Sequence, residues 1–158
     1  MLECKTTSPE ETFAFGQCLA KVLSSGQVVC LEGNLGAGKT LLVQGLADGL
    51  GIKDTVNSPT FALLNVYEAN FPVYHFDLYR LDDARDLFDI GFYELTEAKG
   101  LSIIEWPNKF PEELPDEYLW IEITCGEQVD DRILQIRALG AKYETICEEL
   151  RQTCPFLR

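Results

Sequence analysis

Basic side chains are scarce in this 158-residue chain: 13 Lys and Arg stand against 26 Asp and Glu, for a formal net charge of −13. Neutralising a nucleic-acid backbone requires clustered Lys and Arg, so broad direct contact with DNA or RNA is disfavoured and a basic surface on another protein is the better-matched partner. Long apolar runs are also missing. None could span a bilayer, and the amino terminus, MLECKTTSPEE, lacks the apolar core of a secretory signal, so the expectation is a cytoplasmic protein without a membrane partner. The six cysteines, at positions 4, 18, 30, 125, 147 and 154, include no close C-x-x-C pair, which argues against a zinc site and for reduced thiols. Cys30 lies in an apolar run and reads as core. Histidine is represented once, by His75, which reads as a packed strand residue rather than a base because no nucleophile triad surrounds it.

What is present is apolar material: 46% of the residues, enough for a chain of this size to bury roughly 70% of its extended surface in one core. No internal repeat, low-complexity tract or linker divides the chain, so one domain over residues 1–158 is expected. In SPEETFAFGQCLAKVLSSG, Ser8 suits a helix cap, Pro9 the first turn and Glu11 the third position of a capping box, with Phe15, Leu19 and Val22 at helical spacing. QVVCLEG reads as a buried strand and TLLVQGLADGLG as a helix. TFALLNVYEA and VYHFDLYR, separated by a short gap with Asn70 and Pro72, suggest a hairpin. DDARDLFDI and YELTEA look like short helices broken at Gly91, and LSIIEW is a further compact strand. After the proline-bearing loop PNKFPEELPDE, YLWIEIT and RILQIRAL read as pairing strands and AKYETICEELRQ as a closing helix. The class is α/β, with a central mixed sheet flanked by helices in three layers.

Between the first strand and its helix stands GNLGAGKT, which satisfies G-x-x-x-x-G-K-[ST] at Gly33, Gly38, Lys39 and Thr40. The chemistry needs these residues. Glycines let the backbone of Gly33, Asn34, Leu35, Gly36, Ala37 and Gly38 turn its N–H groups toward phosphate oxygens, and the helix that follows contributes its own unpaired N–H groups. Lys39 supplies a positive charge to terminal phosphates and the Thr40 hydroxyl suits Mg²⁺ bridging them. The expected ligands are therefore a nucleotide and Mg²⁺. An acidic metal anchor is also required, and Asp77 and Glu105 each follow apolar strand residues where either would serve. The competing readings are a solvated strand end for Asp77 and a surface acid before a proline turn for Glu105. Thr60 in NSPTF compares with switch threonines that sense a terminal phosphate, although Ser-Pro-Thr alone is also an ordinary turn.

Taken in order, GNLGAGKT, NSPTF, YHFDLYR and IIEWP closely resemble the TsaE (YjeE) family of small bacterial ATPases required for threonylcarbamoyladenosine modification of tRNA. The likeness extends from the opening helix to RALG and leaves the final TCPFLR outside. It implies a P-loop ATPase fold, ATP with Mg²⁺, and action with the TsaB and TsaD proteins, TsaD transferring the threonylcarbamoyl group to adenosine 37 of tRNA. It also implies that tRNA is reached through that complex. Position by position, residues Gly33 to Thr40 become the phosphate loop. Thr60 becomes a switch-like threonine, and Asp77 and Glu105 become metal-side or water-ordering carboxylates beside the catalytic Lys39. Trp106, Tyr79 and Arg80 fall within the matched motifs without an assigned role. The implied task is resetting the transferase complex between turnovers.

Three other readings remain open from the sequence. A small-molecule or nucleoside kinase shares the phosphate loop, but no Arg-rich lid is evident. A GTPase would carry Asn-Lys-x-Asp, and NKFP has Pro111 where the acid belongs. A nucleotide-dependent assembly switch would need binding without essential hydrolysis.

Overall fold

The computed structural model describes residues 1–157. Its strands are β1 (Leu2–Thr6), β2 (Val28–Glu32), β3 (Leu64–Glu68), β4 (Pro72–Asp77), β5 (Leu101–Glu105), β6 (Tyr118–Cys125) and β7 (Arg132–Leu139). They form a single seven-stranded sheet in the order β1-β7-β6-β2-β5-β4-β3. The four central strands run parallel, while β3 on one edge and β7 and β1 on the other are antiparallel to their neighbours. Composition accounts for the centre. VVCLE and LSIIE are almost continuously apolar, as strands covered on both faces must be, and every residue of β5 is buried.

The helices are α1 (Pro9–Ala20), α2 (Lys39–Gly49), α3 (Arg85–Asp89), α4 (Phe92–Glu97) and α5 (Ala141–Thr153). Alternation along the strands divides the core in two. Val29, Leu31, Ile103, Ile121 and Ile123 face a cluster that includes residues of α1, α2 and α5, whereas Val28, Cys30, Phe76 and Ile104 face Leu87 of α3 and Phe92 of α4. This is the three-layer arrangement expected from the sequence, and Cys30 lies fully in the core as anticipated.

Helix α2 is held against α1 at unusually close range. A Cβ at Gly16 would strike the Leu42 carbonyl oxygen, and one at Gly45 would strike the Phe13 carbonyl. Only glycine permits that approach, so the start of α2 is fixed by its packing along its length. The α1 cap follows the expected chemistry with a one-residue shift. Ser8 Oγ accepts from the Glu11 N–H at 3.2 Å, but the Glu11 carboxylate reaches back to the Thr7 N–H at 2.8 Å and not to that of Ser8.

Other boundaries moved further. TFALLNVYEA is half turn: residues 60–63 precede β3, with Phe61 exposed and Leu63 at φ 68°. LYR lies beyond the end of β4. Strand β1 carries no local signal, because LECKT has too few apolar residues to announce itself. It forms because β7 offers an open edge, and its inward residues are Cys4 and Thr6, the Thr6 hydroxyl bonding that of Thr12 at 2.7 Å. The cysteines are all free, with Cys4, Cys18 and Cys154 buried together with the core and Cys125 exposed.

Candidate functional site

Parallel strands deliver their carboxyl ends to one side of the sheet, and the chemistry-bearing residues gather there. β2 ends at Glu32, and the following loop runs through Gly36 at φ 81° to Gly38 at φ 106°, the left-handed residue from which α2 starts. A side chain at position 38 would strain this entry. The first bond of α2 runs from the Leu42 N–H to the Gly38 carbonyl, so the N–H groups of Lys39, Thr40 and Leu41, which border the cleft, have no partner within the helix.

The loop is also held from a direction the sequence did not disclose. Arg132, the first residue of β7, donates from Nε to the Ala37 carbonyl at 2.8 Å and from Nη2 to that of Gly36 at 3.4 Å. These bonds hold the Gly36 and Ala37 carbonyls to the β7 side, while the Ala37 N–H donates to the Asn34 carbonyl at 3.0 Å and closes a turn inside the loop. No local motif marks Arg132 for this task; its partners in the loop are 95 and 96 residues away, while Nη1 donates locally to the Val129 and Asp131 carbonyls.

Lys39 is buried at the start of α2. Its ammonium donates to the Gly33 carbonyl and rests 4.0 Å from the centroid of the Trp106 ring. Burial pulls its pKa below the usual lysine range, with Glu105, Asp77 and Glu32 acting in the opposite direction. Trp106 can serve as this platform because its backbone is left-handed, at φ 58°, immediately after β5, and because the Tyr79 ring packs against it at 4.7 Å between centroids.

Asp77 and Glu105 are neighbours by register: β4 and β5 pair in parallel with Asp77 opposite Glu105. Their side chains thus leave the same face, and both are 2% exposed. Neither a solvated strand end nor a surface acid describes them. Asp77 Oδ2 accepts from the hydroxyls of Thr60 at 3.0 Å and Ser58 at 3.4 Å, while Oδ1 accepts from the Tyr79 N–H at 3.0 Å. Glu105 Oε2 lies 2.5 Å from His75 Nε2. Arg80 secures the segment carrying Thr60 by donating to the carbonyls of Thr60 at 3.3 Å and Phe61 at 3.0 Å. Its role in this geometry is anchoring.

Gly36, Gly38, Lys39, Thr40, Ser58, Thr60, Asp77, Glu105 and Trp106 all border one cleft of about 530 Å³. The sequence-predicted residues Lys39, Thr40, Thr60, Asp77 and Glu105 are thereby brought together, and Leu35 at the mouth is 69% exposed. A hydroxyl and carboxylates are hard oxygen donors suited to Mg²⁺. Among the described residues, no group of three or more His, Cys, Asp and Glu is placed to hold a metal unaided, so phosphate oxygens would have to complete such a site.

The family model for threonylcarbamoyl adenosine biosynthesis protein TsaE matches residues 6–134. The chain belongs to the TsaE family. Among curated relatives, the tRNA threonylcarbamoyladenosine biosynthesis protein TsaE of Bacillus subtilis (strain 168) is 41% identical over 150 residues, covering 94% of this chain and 93% of the relative. The TsaE of Treponema pallidum (strain Nichols) is 42% identical over 122 residues, covering 77% and 90% respectively. The crystal structure of YdiB from Bacillus subtilis superposes with a TM-score of 0.84 at 37% identity, covering 96% of this chain and 94% of that one. The TsaE match begins and ends inside the strands β1 and β7 that flank one edge of the sheet, and it takes in every residue of the cleft. Among the described residues, no helix is long and apolar enough to cross a membrane.

Proposed function

We propose that the protein is a Mg²⁺-dependent ATPase of tRNA threonylcarbamoyladenosine biosynthesis. In this reading it acts with TsaB and TsaD and resets their transferase complex between turnovers, while tRNA is reached through that complex. The observation that carries the proposal is the convergence of Lys39, Thr40, Thr60, Asp77 and Glu105 on one cleft at the amino end of α2. Family membership supplies the pathway.

The terminal phosphates of ATP lie against the phosphate loop, where the α2 N–H groups and Lys39 meet their negative charge. To do so, Lys39 exchanges its contacts with Gly33 and Trp106 for phosphate oxygens. Thr40, with Asp77 and Glu105 beside it, would hold Mg²⁺, which when bound neutralises charge on the β- and γ-phosphates. Thr60 and Asp77, already hydrogen bonded, order the attacking water near the γ-phosphate. The acidic surface suits a basic face of the transferase complex better than tRNA itself.

Threonylcarbamoyl transfer by TsaB and TsaD, followed over many turnovers with and without this protein and ATP, tests the role. The reading requires one early burst without the protein and sustained turnover with it; sustained turnover in its absence would remove the role.

A further inference from the structure

His75 is fully buried on β4, two residues before Asp77 and on the same face. Register places it opposite Ile103, one pleat from Glu105, and its Nε2 reaches Glu105 Oε2 at 2.5 Å. On its other side, Nδ1 is 3.5 Å from the hydroxyl of Tyr67 on β3. That hydroxyl is 3.4 Å from the carbonyl of Asn57, and the Asn65 amide donates to both, at 3.3 Å to Tyr67 and 3.4 Å to Asn57. An apolar side chain at this position would make neither hydrogen bond. It would leave a 2% exposed carboxylate without its donor, which a low-dielectric site tolerates poorly.

We propose that His75 and Tyr67 are positioning residues that connect Glu105 to the segment Asn57–Thr60. Both carboxylates of the cleft are then tied to one stretch of chain. Asp77 is joined to it through the hydroxyls of Ser58 and Thr60, and Glu105 through His75, the Tyr67 hydroxyl and the Asn65 amide, whose two N–H groups reach that hydroxyl and the Asn57 carbonyl. A ligand phosphate that engages Thr60 is therefore felt at Glu105 as well as at Asp77. His75 fixes the Glu105 carboxylate by hydrogen bonding, as partners behind a metal-side carboxylate commonly do, and neither gives nor takes a proton in the reaction. The inference rests on the reading that Glu105 acts at the phosphates.

The test compares His75→Gln, His75→Asn, His75→Phe, Tyr67→Phe and Glu105→Gln in the full chain with TsaB and TsaD. It measures kcat, the KM for ATP, the affinity for a fluorescent ATP analogue and the thermal midpoint. Glutamine places an amide nitrogen near the Nε2 position, and asparagine near Nδ1. His75→Phe should lower kcat about tenfold or more while KM and analogue affinity change less than about threefold. His75→Gln should recover most of the loss and His75→Asn should not, with Tyr67→Phe lowering kcat about threefold. Wild-type kcat in folded His75→Phe, or equal kcat in the Gln and Asn variants, overturns the inference. If the Phe variant does not fold, the Gln and Asn comparison decides. Undiminished kcat in Glu105→Gln defeats the underlying reading of Glu105; an inactive Glu105→Gln beside a fully active His75→Phe defeats the positioning link alone.

Discussion

The Thr60 hydroxyl donates a 3.0 Å hydrogen bond to Asp77 Oδ2, joining the turn after Pro59 to the end of a buried parallel strand. The bond crosses 17 residues of sequence and ties a half-buried turn residue to a buried strand residue. In the proposed ATPase, Thr60 would sense a phosphate without being required to hold the nucleotide, a task assigned there to Lys39 and the α2 N–H groups.

Thr60→Ala should therefore reduce kcat for ATP about tenfold and leave ATP affinity within about threefold of wild type. Steady-state hydrolysis beside equilibrium titration with a fluorescent analogue reads both quantities. A parallel loss of affinity would place Thr60 in ground-state binding.

Trp106 should report nucleotide directly. The Lys39 ammonium lies 4.0 Å from its ring centroid, and engagement of phosphate would draw that charge off the ring. In a Trp120→Phe background, where Trp106 is the one remaining indole, ATP should shift the emission, and Lys39→Ala should abolish the shift. An unchanged spectrum on saturation with ATP would show that the lysine stays where it is.

How much of this was legible in the sequence varies with the range of the interaction. GNLGAGKT specifies its own conformation, since Gly38 must be left-handed and α2 must follow, and it was readable without a fold. Asp77 and Glu105 were readable as acids at strand ends, but their adjacency depends on the β4/β5 register, which local pattern does not encode. The same gap hid His75. Its burial was evident from its neighbours, and its bond to Glu105 was not. Arg132 and β1 share a cause: each matters because of a distant partner, the phosphate loop for one and the open edge of β7 for the other.

Glu32 and Glu122 face each other across the β2/β6 ladder, and the Glu32 carboxyl is pushed above its usual range by burial first and by Glu122 second. A carboxyl raised in the folded state contributes stability that is complete below its unfolded pKa and is lost as pH rises through the folded value. Glu122→Gln removes the repulsion, so it should raise the thermal midpoint at pH 8 and do so less at pH 4. Equal shifts at both pH values would mean that the pair does not interact.

Thiol chemistry offers a separate check on the core. Burial pushes the Cys4 and Cys154 thiols up to about 12 and raises that of Cys30 further, whereas Cys125 is exposed. A thiol-disulfide reagent applied to the native protein should label Cys125 rapidly and Cys147, half buried, slowly. The remaining four should react only after denaturation. Rapid labelling of Cys4 or Cys154 would show that the β1 edge opens readily.

The central claim is that the cleft hydrolyses ATP under the control of its partners. The most direct measurement is ATP hydrolysis by the wild type and by Lys39→Ala, each alone and with purified TsaB and TsaD, with Mg²⁺ present or chelated. Turnover that rises with the partners, requires Mg²⁺ and disappears in a folded Lys39→Ala variant is the predicted result. Turnover indifferent to the partners, or undiminished without Lys39, would contradict the account.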